Sequence, residues 1–241
     1  MPDSADLFAA QVADPSRHAV ADFSVTSNTL LVLFGGIAGG VSMPVYEFFR
    51  VTEGYPAKRL FLRDPRYSWY LRGLPGVGDD EASVVAALRD AIRQSGAARV
   101  VVAGASAGGF AAMRMGAAIG AERVLAFSPQ TFIDGPGRAA AGDDRWGPQI
   151  AALHAALGPE SPLYDAIPAV AAAPGVAFEV HVSDDEPLDM LHAKRLASLP
   201  QVTIAIHRRG GHRLVKHLRD NGELRGILAR ALGEPTASGG T

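Results

Sequence analysis

The 241 residues contain no cysteine. Disulfides, thiolate metal ligands and a cysteine nucleophile are excluded together. No run of 18 apolar residues occurs, so no membrane-spanning helix is expected. The start, Met1-Pro-Asp-Ser-Ala-Asp6, carries acids and lacks an apolar core. A secretory signal is therefore not expected, and the expected location is the cytoplasm. Net charge is only −2, which points to neither nucleic acid nor an anionic membrane as partner. Lysine is scarce beside arginine, and alanine is abundant, a pattern of coding bias rather than of function.

The apolar fraction of 48% and charged fraction of 20% are ordinary for a soluble globular protein. The length suits one large α/β domain. Apolar runs predict strands over residues 21–26, 28–34, 58–63, 99–104, 123–128, 177–182 and 202–206. Helical spacing falls between them, at 80–95 with Gly96 as its stop, from 107 to about 119, at 149–157, near 190–198 and at 213–232. Residues 1–20 read as a weakly helical lead-in, residues 129–175 as a long Ala-, Gly- and Pro-rich insertion, and the tail from Glu234 as disordered. Strands alternating with helices predict a mostly parallel sheet with helices on both faces. Such sheets bind ligands beyond the carboxyl ends of their strands.

The chemistry gathers at those ends. Arg99-Val-Val-Val-Ala-Gly-Ala-Ser-Ala-Gly-Gly-Phe110 places Gly-x-Ser-x-Gly between a strand and an Ala-rich helix. That is the setting of a nucleophile elbow, in which a tight turn lifts a serine hydroxyl above the sheet. A dinucleotide-binding turn uses similar glycines. It wants an acid near the end of the next strand, about 20 residues on. Here that strand, Arg123-Val-Leu-Ala-Phe-Ser128, ends without one, so Ser106 is the candidate nucleophile.

A serine at neutral pH needs an adjacent base. Of seven histidines, His212 alone follows the last strand in a glycine-rich loop, Arg209-Gly-Gly-His212. The base needs an acid to orient it, expected after the strand 177–182. Asp184, Asp185, Glu186 and Asp189 crowd there. The preferred register puts the acid at Asp185. Asp189 is the rival, with a helix N-cap as its simpler role. A developing oxyanion needs N–H donors. Ala107, next to the nucleophile, is one. Gly36 or Ile37, in the loop Phe34-Gly-Gly-Ile-Ala-Gly-Gly40, is the expected second. No cofactor or metal is called for. Phe132 and Trp146 are candidates for a cap over the serine. The basic run His207 to Arg213, with Lys216, reads as a solvated rim, with contact to a substrate phosphate or carboxylate as the alternative.

The elbow, the Gly-Gly loop, the acid loop and the late Gly-Gly-His resemble the α/β-hydrolase superfamily over roughly residues 28–232. Trp69-Tyr-Leu-Arg-Gly-Leu74 and Phe127-Ser-Pro-Gln130 are similar to segments of small bacterial hydrolase-like proteins of that superfamily. The chain departs from the usual pattern in having Phe34-Gly35-Gly36 where His-Gly is common, and no Gly-x-x-Asp in the acid loop. The resemblance implies one α/β-hydrolase domain over residues 1–241, with its core at about 21–233 and a cap-like insertion at about 129–175. It also implies a serine nucleophile, acid and histidine in that chain order. The expected activity is cleavage of an ester or thioester, free or carrier-bound, through an acyl-enzyme. Acyl transfer or cyclisation on the same fold, and a non-catalytic binding module, are the alternatives.

Overall fold

Seven strands form one sheet: β1 (Ala19–Asp22), β2 (Thr29–Phe34), β3 (Lys58–Leu62), β4 (Arg99–Ala105), β5 (Arg123–Phe127), β6 (Ala177–Ser183) and β7 (Val202–His207). They were located in a computed structural model that describes residues 4–37 and 48–234. The order across the sheet is β1-β3-β2-β4-β5-β6-β7. Only β1 runs antiparallel, against β3; the other neighbours are parallel. Nine helices are described: α1 (Ser4–Ala13), α2 (Glu81–Ser95), α3 (Ala107–Ile119), α4 (Gly135–Ala141), α5 (Gly147–Leu157), α6 (Ile167–Ala171), α7 (Pro187–Lys194), α8 (Leu214–Asp220) and α9 (Glu223–Leu232).

The central strands are buried on both faces, as parallel strands covered by helices must be. Alternate residues serve opposite faces. Leu30, Val32 and Phe34 of β2 join Val84 and Leu88 of α2 and Phe110 and Met113 of α3 in one core. Leu31 and Leu33 join Leu214 and Leu218 of α8 and Leu224 and Leu228 of α9 in the other. Local chemistry sets the ends of the covering helices. Asp80 and Ser83 form a reciprocal capping box at the start of α2, and Gly96, at φ 64°, closes it. Asp134 caps α4, and Gly142 ends it in the same left-handed conformation.

Several boundaries differ from the sequence expectation. The lead-in contains a regular helix, α1. The first strand starts two residues early, and its partnership with β3 makes it the antiparallel sheet edge. The expected helix over 213–232 is two helices, because Asn221-Gly222 breaks it with Gly222 at φ 83°. The helix expected near 190 begins at Pro187, with Glu186 as its cap. The insertion holds α4 and α6 besides the expected α5. The tail beyond Glu234 and residues 38–40 of the Gly-Gly loop lie outside the described residues. No helix among the described residues is long and apolar enough to cross a membrane.

Register decides where the chemistry goes. Phe34 stands beside Gly104, Ala105 beside Phe127, Phe127 beside His181, and Ser183 beside His207. The segments that follow β2, β4, β5, β6 and β7 therefore leave the sheet along a single edge.

Candidate active site

Ser106 occupies the sharp turn between β4 and α3, with φ 52° and ψ −118°. Its own N–H donates to Phe127 O at 2.9 Å, and its carbonyl accepts from Phe110 N at 3.0 Å. These bonds hold a conformation that an L-residue resists. The flanking glycines have a steric cause. A Cβ on Gly104 would sit 2.1 Å from Gly108 O, and one on Gly108 would sit 2.4 Å from Phe34 O.

His212 reaches the serine from a single helical turn, Gly211–Arg213, after β7. Arg209, Gly210 and Gly211 all have positive φ, which reverses the chain at once. The loop after β6 braces it. Asp184 Oδ1 accepts from Arg209 N at 3.2 Å, and Asp185 Oδ1 accepts from Gly211 N at 2.9 Å. His212 Nε2 then lies 2.9 Å from Ser106 Oγ.

The carboxylate behind His212 belongs to Asp189, not to Asp185. His212 Nδ1 lies 3.0 and 2.9 Å from the two oxygens of Asp189. The preferred register is thereby corrected. Asp185 is taken up by Ser183 Oγ and Gly211 N, both of which donate to it. The early start of α7 is the physical reason. Its cap is Glu186, so Asp189 lies in the first helical turn. There its fully buried side chain meets the imidazole. Burial pushes the Asp189 carboxyl up. Hydrogen bonds and charge from His212 and Arg145 outweigh burial and hold it below its usual range.

Of the expected oxyanion donors, Ala107 opens α3, so its N–H has no acceptor within that helix. Gly36 and Ile37 follow β2, and the Ile37 side chain is buried in the core. The segment is held from both sides. Gly35 N donates to Leu62 O at 3.0 Å, and Tyr70 Oη lies 2.9 Å from Gly35 O. The two recognisable segments meet beneath it, where Trp69 Nε1 donates to Gln130 Oε1 at 2.8 Å. Asp64 Oδ2 accepts from the backbone of Ser68 and Tyr70, which keeps this aromatic loop in its positive-φ conformation at Trp69 and Tyr70.

Sequence reasoning missed Arg145. It comes from the loop between α4 and α5 and donates through Nη1 to Asp189 Oδ1 at 2.7 Å. Its Nε and Nη2 donate to the two oxygens of Asp143 at 2.9 and 2.8 Å. Asp143 in turn lies 3.2 Å from Nε2 of the buried His192. Nothing local in Gly142-Asp-Asp-Arg-Trp146 distinguishes that run from a solvated loop. Of the two cap candidates, Trp146 stands 6.3 Å from the His212 ring. Phe132 instead packs on His192 at 4.4 Å. It lines a groove of about 580 Å³ between α4 and α7 that Ser106, His212 and Asp189 do not border. Arg208, Arg209, Arg213 and Lys216 are exposed, and Lys216 pairs with Asp220 at 2.6 Å.

No protein-family model matches the sequence, and no curated protein matches it. Solved structures do match in fold. The capsule O-acetyltransferase of Neisseria meningitidis serogroup A is 11% identical, with TM-score 0.65 over 85% of this chain and 88% of that one. Est1E from Butyrivibrio proteoclasticus is 12% identical, with TM-score 0.59 over 90% and 94%. FphF, a fluorophosphonate-binding serine hydrolase of Staphylococcus aureus, is 14% identical, with TM-score 0.59 over 86% and 84%. The parallel sheet, the strained serine at the end of its central strand β4 and these likenesses identify the chain as a protein of the α/β-hydrolase fold.

Proposed function

We propose that this chain is a serine hydrolase that cleaves an ester or thioester through an acyl-enzyme on Ser106. The observation that carries the reading is the 2.9 Å approach of His212 Nε2 to Ser106 Oγ, backed by Asp189 on Nδ1. Ser106 Oγ attacks the carbonyl carbon while its proton passes to His212 Nε2. The carbonyl electron pair moves onto oxygen, where the Ala107 N–H and a donor from Gly36 or Ile37 receive it. When the tetrahedral species collapses, the C–O or C–S bond breaks. The leaving alcohol or thiol takes the proton from Nε2. Water then attacks the acyl carbon and gives a proton to His212; the bond to Ser106 Oγ breaks, Oγ takes that proton back, and the acid is released. Asp189 accepts from Nδ1–H throughout, which keeps Nε2 free to act as base.

The likeness to an O-acetyltransferase favours a second reading, in which an alcohol rather than water resolves the acyl-enzyme. The first step is the same. The experiment is labelling with a fluorophosphonate, read by intact mass, in wild type and Ser106→Ala. It is paired with p-nitrophenyl acetate turnover in the absence and presence of an added alcohol. One adduct on wild type, none on the Ala variant, and a turnover loss of about 10⁴–10⁶ are expected. An acetylated alcohol would assign acyl transfer. A wild type that neither labels nor turns over would leave a non-catalytic binding module as the reading.

A further inference from the structure

Arg145 touches both the carboxylate and the imidazole of the proposed catalytic array, and nothing in the hydrolase reading uses it. Its Nη1 donates to Asp189 Oδ1 and lies 3.3 Å from His212 Nδ1. With Nδ1–H donating to Asp189, both groups are donors to one carboxylate, Arg145 on Oδ1 and the imidazole nearest Oδ2. Each guanidinium nitrogen is engaged by a carboxylate of the chain. Nε and Nη2 are engaged by Asp143, and the Arg145 backbone N–H also donates to Asp143 Oδ1, at 3.0 Å.

The anchor is itself fixed. Thr131 N–H donates to His192 Nδ1 at 3.0 Å. That nitrogen is therefore bare, and the His192 proton sits on Nε2, from which it donates to Asp143 Oδ2 at 3.2 Å. The charged groups around His212 on this side are Asp189 of α7 and Arg145 and Asp143 of the loop before α5, with neutral His192 behind them. A bidentate guanidinium–carboxylate pair is rigid and directional. It holds one positive charge beside the imidazole, where that charge opposes a second proton on the ring.

We propose that Arg145 is a positioning residue of this site: it shares the charge of Asp189 with His212, limits how strongly the imidazolium is held, and ties the insertion to the acid. The consequence for rate rests on the reading of Ser106 and His212 as nucleophile and base; the charge relationship itself does not. A base whose imidazolium is held less strongly stays unprotonated, and so usable, at lower pH. It also returns its proton to the leaving group more readily.

The test is a pH titration of the His212 imidazole by ¹H–¹⁵N NMR in ¹⁵N-labelled protein, with His212→Gln for assignment. It is run on wild type, Arg145→Gln and Arg145→Lys. The fluorophosphonate labelling rate of Ser106 is followed over the same pH range. Removing the positive charge in Arg145→Gln should move the imidazole midpoint to higher pH. Its labelling should fail at correspondingly higher pH. Arg145→Lys, which keeps the charge, should return most of the way to wild type. A purely structural role would lower the melting temperature and leave the His212 midpoint where it is, and that result overturns the proposal. If Arg145→Gln does not fold, Asp143→Asn/Arg145→Gln is compared with Asp143→Asn, so that loss of the Arg145 charge is again the single difference. A wild-type chain that never labels at Ser106 sinks the hydrolase reading alone, since the imidazole titration still decides the role of Arg145.

Discussion

Asp185 and Gly211 are joined by a 2.9 Å hydrogen bond, and that bond sets the chain direction one residue before His212. Two acids four residues apart thus do different jobs: Asp185 holds the loop that carries His212, and Asp189 holds its ring. Asp189→Asn should therefore cut kcat by about 10⁴, the scale of the equivalent change in a serine protease, because the amide favours the wrong imidazole tautomer. Asp185→Ala should cost no more than about tenfold, since the carboxylate only steadies the loop. Ester hydrolysis by the two purified variants decides it. A silent Asp189→Asn beside a dead, folded Asp185→Ala would reverse the assignment.

The nucleophile is strained, so relieving the strain should show in stability. A residue held at φ 52° and ψ −118° costs on the order of 1–3 kcal/mol. Ser106→Gly removes that cost but adds freedom to the unfolded chain. It should be more stable than Ser106→Ala by about 1 kcal/mol. Urea denaturation of both variants measures the difference. An Ala variant at least as stable as the Gly variant would show that the turn is not strained.

At the flanking glycines the expected effect is on folding. Gly104→Ala drives a methyl against Gly108 O, and Gly108→Ala drives one against Phe34 O and Gly35 O. Backbone cannot swing aside as a side chain can. Each change should cost about 3 kcal/mol or more, the upper end for overpacking. Gly142→Ala is a control with open space around the added methyl, whose cost is confined to its positive φ. Melting temperatures of the three variants should rank accordingly. Equal losses at all three sites would rule out steric contact as the reason for glycine in the elbow.

Acid should destabilise the fold in two stages. Burial holds the His192 imidazole below its usual range, and His207 is lowered chiefly by burial as well. The unfolded chain therefore binds protons below about pH 6.5 that the folded chain refuses, and stability falls as pH drops through that window. The carboxyls of Asp189 and Asp143 are also held low. Hydrogen bonds and ion pairs to His212, Arg145 and His192 outweigh the burial that would raise them. A second loss should follow as pH falls below about 4. Thermal melts at pH 7, 5.5 and 3.5 should show both steps. A protein as stable at pH 5.5 as at pH 7 would contradict the first.

At the pairing of the two aromatic and polar segments, Gln130→Leu leaves the buried Trp69 indole N–H without its acceptor. The loss should be about 1–3 kcal/mol. Trp69→Phe/Gln130→Leu, which removes both polar partners, should recover part of it. A double variant less stable than Gln130→Leu would show that packing, not the hydrogen bond, holds the segments together.

How much of this was legible in the sequence follows from how local each signal is. The apolar runs within 28–34, 99–104 and 123–128 mark buried strands, because a strand covered on both faces is apolar along its buried length. Gly104-Ala-Ser-Ala-Gly108 is legible because the clashes that demand glycine come from the turn and the neighbouring strand end. His212 is legible from its place after the last strand. The choice between Asp185 and Asp189 is not. It turns on where α7 begins, and Glu186-Pro187 against Asp189-Met190 is a difference of three residues that only packing resolves. Arg145 lies 44 residues from Asp189 and 67 from His212 in the chain. No periodicity or spacing connects residues so far apart. The tertiary structure connects them, because the insertion folds back over α7 and the Arg145 guanidinium, once buried, needs the carboxylates of both Asp143 and Asp189.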